Sequence, residues 1–307
     1  MPNTASELNA APRKSLRTGR HIAWLAAMPM IMGIGVFALY PFVYLIALAL
    51  TDSSLARPFQ EWTGLANFAD ALSDELFVGS VWRSALLALL STATAMLLGT
   101  AVALLLDKAV RGRDLIRTLI LLPLLTPPVT AAIMWQLILM PQGGWLNAVL
   151  SDLSIISSPV SFLGHPSSAF ASVLTVDVWQ WSPFVALMVY AALQTLPREV
   201  FEASRLDVRS NWTVFRYITL PMLLPALLGI AVLKLVISFK VFDLIFVLTA
   251  GGPGQATTVS SFYIYRVAVQ QFDIGLAAAQ TLMFALVVGL ATVPFTVAHD
   301  KSEEKLS

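Results

Sequence analysis

The sequence predicts an all-α integral membrane protein with six transmembrane helices and both termini in the cytoplasm. Three observations predict it: a composition too apolar for a water-facing surface, six separate apolar stretches, and a one-sided distribution of positive charge. Hydrophobic residues make up 57% of the 307 residues and charged residues only 12%, with a mean hydropathy of +0.77. A soluble domain carries about 25% charged residues, so the deficit fits a surface that meets lipid. The net charge of +1 argues against a nucleic-acid partner, whose recognition demands a basic excess. The chain has no cysteine, so disulfides, thiolate nucleophiles and zinc-thiolate sites are excluded.

A span needs about 20 mostly apolar residues to cross a hydrocarbon core about 30 Å thick. Six stretches qualify, over about 22–50, 81–106, 118–139, 169–193, 220–248 and 274–297. The first is too long for a signal-peptide core and has no small-residue cleavage site behind it, so it reads as retained. Residues 1–21 then form a cytoplasmic segment, 22–297 one transmembrane domain and 298–307 a cytoplasmic tail.

Orientation follows from the cations, which concentrate on the cytoplasmic side. Arg13, Lys14, Arg17 and Arg20 precede the first span, and Lys108, Arg111, Arg113 and Arg117 separate the second from the third. Arg198, Arg205, Arg209 and Arg216 lie between the fourth and fifth, and Lys301 and Lys305 follow the sixth. The alternate connections hold only Arg57, Arg83 and Arg266. Both termini and the loop 194–219 are therefore expected in the cytoplasm. On the outer side, 51–79 reads as an exposed connection with a short interfacial helix. The stretch 140–166 contains Pro141, Gly143, Gly144, Asn147 and Pro159, which are turn residues.

The loop 194–219 carries the most information. Pro197 suits the first turn of a helix, where its missing N–H costs nothing, and Glu199 favours the positive end of the helix dipole. Glu202, Arg205 and Arg209 recur at three- and four-residue spacings, hence on one helix face. A short helix of mixed charge with an apolar side is suited to docking into a protein groove.

At this point the chain resembles the membrane subunits of binding-protein-dependent ABC importers. Their pattern is Glu-Ala-Ala, two residues, Asp-Gly, then about nine residues to Ile-x-Leu-Pro. This chain has Glu202, Ala203, Ser204, Asp207, and Ile218-Thr219-Leu220-Pro221 at matching intervals. Val208 replaces the usual Gly and Arg209 stands where Ala is frequent, so a turn there must use φ < 0 or the helices must run on. The resemblance implies the type I ABC importer permease fold, with this loop as a coupling helix seated in the ATPase subunit. Glu202 would meet a basic residue there, flanked by Ala203, Ser204, Arg205, Asp207 and Arg209, and by Leu220 and Pro221 where the next span begins.

Two further stretches are similar to the carbohydrate, maltose-type branch of that family. One runs from Phe242-Asp243 through Leu248-Thr249-Ala250-Gly251-Gly252-Pro253 to Tyr263, with Ala250 where those permeases carry Gly; the other is Asp177 to Phe184 in the fourth span. Outside the spans, Trp62 to Phe68 is similar too. The glycine-rich turn lacks the Lys-Ser/Thr pair of a phosphate loop and is expected on the outer face, away from cytoplasmic ATP. The resemblance implies ATP and Mg²⁺ in two copies of a separate ATPase, and no cofactor or catalytic or metal-binding residue in this chain. It also implies a second, non-identical permease, a periplasmic or extracellular solute-binding protein, a sugar as substrate, and the bacterial inner membrane as location.

Ionisable residues inside spans are expensive and ordinarily face a cavity or each other. Lys234, about midway along the fifth span, is a candidate for the substrate path, with room for an anionic sugar derivative; the alternative is pairing with a carboxylate of another helix or subunit. Asp177, Trp179, Gln180 and Trp181 in the fourth span, Gln136 in the third and Asp243 at the end of the fifth are further candidates, since sugars take aromatic faces and polar side chains. Tryptophans also anchor spans at interfaces, and Lys240 reads as reaching toward one. Pro127-Pro128 should break or kink the third span, leaving carbonyls that must face protein or a water-filled cavity. The rival reading, a secondary transporter driven by an ion gradient, would expect paired repeats and central acidic ion sites. A membrane-embedded enzyme would need clustered catalytic groups near one membrane face.

Overall fold

The computed structural model describes residues 27–30, 32–108, 113–197, 199–200 and 210–304. The expected N-terminal segment 1–21 lies outside the described residues, as do Glu202, Ala203, Ser204, Arg205, Asp207 and Arg209. The chain runs through α1 (Ala27–Ala49), a hairpin of β1 (Thr51–Asp52) and β2 (Glu61–Trp62), α2 (Ala66–Ser73), α3 (Glu75–Lys108), α4 (Arg113–Leu125), α5 (Pro128–Ile138), α6 (Trp145–Asp152) and α7 (Pro166–Gln194). It continues through α8 (Trp212–Phe239), α9 (Asp243–Leu248), α10 (Ser260–Tyr265) and α11 (Ile274–Glu304). Among the described residues five helices, α1, α3, α7, α8 and α11, are long and apolar enough to span a bilayer; α4 and α5 make a sixth if taken as one broken span bent by 94°.

Burial is inverted relative to a soluble protein. Phe37, Leu97, Leu125 and Leu286 are exposed, whereas Ser80, Ser91, Lys234 and Gln280 are buried. Lipid solvates the apolar surface, and the polar groups retreat to where other helices can satisfy them. Small residues let the helices close up. Ser84, Ala88, Ser91, Ala95, Gly99 and Ala103 follow one another along α3 at spacings of three and four, and all are buried. At Gly99 a Cβ would fall 2.6 Å from the Cβ of Val185 on α7. Packing of this kind drives helix association in lipid, where no hydrophobic effect operates between helices. Ala95 and Ala103 pack with Val185 and Val189 of α7 and Leu223 and Ile230 of α8. Further along the same stripe of α3, Ala88 packs with Leu235 and Phe239 of α8 and Phe284 of α11.

Two prolines sit directly behind widened turns. Gly35–Leu39 is a π-helical turn closed by the Tyr40 N–H on the Gly35 carbonyl, and Pro41 follows. Phe215–Thr219 is another, closed by the Leu220 N–H on the Phe215 carbonyl, and Pro221 follows. An i→i−5 turn moves the carbonyl that a proline ring would otherwise strike, so each helix passes its proline unbroken.

One expectation needs correction. The fifth span is not one helix over 220–248: α8 stops at Phe239, Lys240 caps it, and α9 starts afresh at Asp243. The cation lies at a C-terminus and the anion at an N-terminus, each at the end its charge favours; summed hydropathy does not register that break. The third span breaks where the proline pair predicts: Pro127 (φ −57°, ψ 138°) is extended and Pro128 opens α5. The expected interfacial helix of the first outer connection is α2, and the turn-rich stretch after α5 also contains a helix, α6. The connections at this end are tied together. Asn67 Nδ2 donates to the carbonyls of Ala49 and Thr51, both at 3.0 Å, and the Ile274 and Gly275 N–H groups donate to the Ser53 carbonyl.

Candidate functional site

α7 passes the two helix breaks without interruption. Asp177, Gln180 and Trp181 sit at three- and four-residue spacings on the α7 face turned toward those breaks. Gln180 Nε2 donates 3.0 Å to the Thr126 carbonyl, one of the acceptors left by the prolines that follow. The break in the third span is thereby satisfied by protein rather than lipid.

Beside it lies a buried charge pair. Lys234 is wholly buried and Asp177 is 3% exposed, with Lys234 Nζ 2.8 Å from Asp177 Oδ2. Ser91 on α3 also donates to Asp177 Oδ2. Lys234 Nζ donates to Ser91 Oγ at 2.9 Å and to Ser238 Oγ, one turn further along α8, at 2.6 Å. Three donors and three acceptors are matched, as a buried ammonium requires. Trp181 adds its ring, with Lys234 Nζ 6.0 Å from the centroid.

In front of the pair is a cavity of about 280 Å³ lined by Asp177, Gln180, Trp181, Lys240, Phe242 and Asp243 among others. Its walls are the unbroken α7, the start of α5 at Pro128 and the gap between α8 and α9. Four residues marked from the sequence, Asp177, Gln180, Trp181 and Asp243, therefore meet at one cavity. Lys234 lies behind its wall, already paired with a carboxylate of its own chain. Trp179 points elsewhere and packs edge-on against Trp135, 5.6 Å between centroids. Gln136 is half-buried on α5 and does not line this cavity. Lys240, read as reaching for the interface, is exposed and lines the cavity mouth. Ser91 and Ser238 escaped sequence reasoning; the available signal was Ser238 four residues after a mid-span lysine, on the same helix face.

The two ends differ in construction. At the end bearing the 194–219 loop, Gln194 Nε2 donates 2.9 Å to Asp107 and the His299 ring lies 2.9 Å from the Pro225 carbonyl, joining α3 to α7 and α8 to α11. Leu220 is half-buried and Pro221 exposed. At the other end, the turn after α9 has Gly251 at φ 82° and Gly254 at φ 60°. A Cβ at Gly251 would come within 2.5 Å of Thr258 Oγ1, so both conformation and space require glycine there. Arg83 Nε of α3 donates 2.9 Å to the Thr258 carbonyl, and Tyr263 donates 2.6 Å to Asp74.

Residues 95–307 match the family described as binding-protein-dependent transport system inner membrane component. The chain is 33% identical over 279 residues to the trehalose/maltose transport system permease protein MalF of Thermococcus litoralis, covering 91% of this chain and 94% of that one. It is 28% identical to the sulfoquinovosyl glycerol transport system permease protein SmoG of Agrobacterium fabrum, covering 92% of each chain. Among solved structures it resembles a chain of a bacterial ABC transporter involved in the import of the acidic polysaccharide alginate. That likeness has a TM-score of 0.81 and 22% identity, covering 92% of this chain and 96% of that one.

Proposed function

Because the chain belongs to the family of binding-protein-dependent transport system inner membrane components, and is a multi-pass permease subunit of an ATP-driven importer, we propose that its cargo is a sugar or sugar derivative. The observation that carries this reading is the cavity at the helix breaks, where Trp181 and Phe242 offer aromatic surface beside the polar groups of Asp177, Gln180 and Asp243. That is the wall composition a polyhydroxylated ligand needs, apolar area for its C–H faces and a few placed polar groups for orientation. The similarity to a trehalose/maltose permease over nearly the whole length supports it.

In this reading a second, non-identical permease closes the other side of the path in the bacterial inner membrane, and a soluble binding protein delivers cargo at the end bearing the glycine-rich turn. Two copies of an ATPase hold ATP and Mg²⁺ and grip the loop around Glu202, with Ala203, Ser204, Arg205, Asp207 and Arg209 beside it. Leu220 and Pro221, already within α8, pass the resulting movement along it. Catalysis of hydrolysis belongs to those subunits.

Reconstitution of the full importer in liposomes tests the assignment. Uptake is expected only with the ATPase subunits and ATP inside. Glu202→Lys is expected to abolish the stimulation of ATP hydrolysis by loaded binding protein while the subunits still co-purify. Uptake by this polypeptide alone under an ion gradient, or normal coupling in Glu202→Lys, would overturn it in favour of a secondary transporter or a different coupling loop.

A further inference from the structure

We propose that Asp177 is the hydroxyl-accepting group of the cavity, that Lys234 is its positioning residue, and that the site on this chain is built for an uncharged saccharide. The proposal rests on the sugar-importer reading and deepens it. A lysine in mid-span invites the opposite conclusion, an anion-binding site, but the geometry spends that charge elsewhere. Lys234 Nζ is wholly enclosed, 2.8 Å from Asp177 Oδ2, and holds two serine hydroxyls as well. It has no face toward the cavity and does not line it.

Asp177 does line it. Both of its donors, Lys234 and Ser91, converge on Oδ2, and neither takes Oδ1. An ionised carboxylate only accepts hydrogen bonds and has room for about four, so a carboxylate pinned through one oxygen offers the other to a ligand. The lysine pairs with that carboxylate and fixes its direction inside a low-dielectric wall, where an unpaired charge would be prohibitively costly. A sugar hydroxyl donates to such an oxygen. A carboxylate, sulfonate or phosphate brings a further negative charge against Asp177 and Asp243, which outnumber Lys240, the cation at the mouth, in the lining. Gln180 gives one N–H to the Thr126 carbonyl, and its carbonyl oxygen adds a second acceptor for hydroxyls. Trp181, already against Lys234 on one side, supplies apolar surface on the other.

The test uses the solubilised complex of this permease with its partner permease and ATPases, and follows tryptophan fluorescence, with Trp181→Phe subtracted to isolate the cavity signal. Neutral disaccharides (maltose and trehalose) and a hexuronate disaccharide are the probes. The neutral sugars are expected to quench the wild-type signal at concentrations at least tenfold below the hexuronate. Asp177→Leu combined with Lys234→Met removes both charges without leaving either unpaired; it is expected to co-purify with the partner permease and ATPases at wild-type yield while weakening neutral-sugar quenching at least tenfold. Lys234→Met with Asp177→Asn, which restores an uncharged acceptor, is expected to recover part of that loss. Equal or tighter binding of the hexuronate, or no difference between wild type and the Leu/Met pair, overturns the proposal. Absence of stimulated ATP hydrolysis in the wild type would instead sink the importer reading beneath it.

Discussion

Lys234 has no contact with water, yet it sits in a helix that is otherwise nearly all apolar. Its tolerance depends on partners from three helices arriving together: Ser91 from α3, Asp177 from α7 and Ser238 from α8 itself. Removing one member of such a pair leaves a buried charge uncompensated, at a cost of about 3–5 kcal/mol, whereas exchanging both for apolar residues of similar volume is often neutral. Lys234→Met alone is therefore expected to lower the thermal stability and folded yield of the complex sharply, and the Asp177→Leu/Lys234→Met pair to restore both. Fluorescence-detected size-exclusion after heating reads this directly. Gln180 poses a smaller case. Gln180→Leu strands the Thr126 carbonyl beside the proline break, so a loss of about 1–3 kcal/mol is expected, visible in the same assay; Gln180→Glu keeps the size but lacks the donor and should fall with it.

At the scale of elements, the contact of α3 with α7 depends on the absence of a side chain. A methyl group at Gly99 would meet Val185 at 2.6 Å and the Ala186 backbone nitrogen at 2.9 Å, and the backbone atom cannot step aside. Gly99→Ala is expected to destabilise by about 1–3 kcal/mol through overpacking, and Gly99→Leu to prevent assembly, judged by co-purification of the partner subunits. Glycines without neighbours, such as Gly289, should accept alanine without effect, which makes Gly289→Ala the matched control. α10 is fastened differently. Burial, then the hydrogen bond to the Asp74 carboxylate and its charge, push the Tyr263 phenol up to about 12. The fold thus favours the neutral phenol, and the stabilisation is complete below about pH 10 and lost as pH rises toward 12. Thermal unfolding between pH 9 and 12 should show this decline, and Tyr263→Phe should remove that part of it.

For the whole molecule, the inverted burial and the asymmetry of the cations make one joint claim about orientation. Because the chain contains no cysteine, single introduced thiols report it cleanly. Gln60, beside the β-hairpin, and Ser210, just before α8, are both exposed. In intact spheroplasts a membrane-impermeant maleimide is expected to label Gln60→Cys and to reach Ser210→Cys only after permeabilisation. The reverse pattern would place the 194–219 loop outside and remove any contact with a cytoplasmic ATPase.

Hydropathy, charge placement and proline positions were enough to set the number of apolar stretches, the break at Pro127-Pro128 and the choice of Asp177, Gln180, Trp181 and Asp243 as residues of interest. Each of these is a local property: the cost of a charge or a free carbonyl in lipid depends on the residue and its immediate neighbours along the chain. The end of α8 at Phe239 was hidden, because an apolar sum runs straight through a three-residue gap whose logic is the sign of the charges at its edges. What Lys234 does was hidden more deeply. A lone lysine in a span is open to a cargo anion or to a carboxylate of the protein. Only the packing of α3, α7 and α8, which closes Ser91 and Asp177 around it and leaves it no path to the cavity, decides between them.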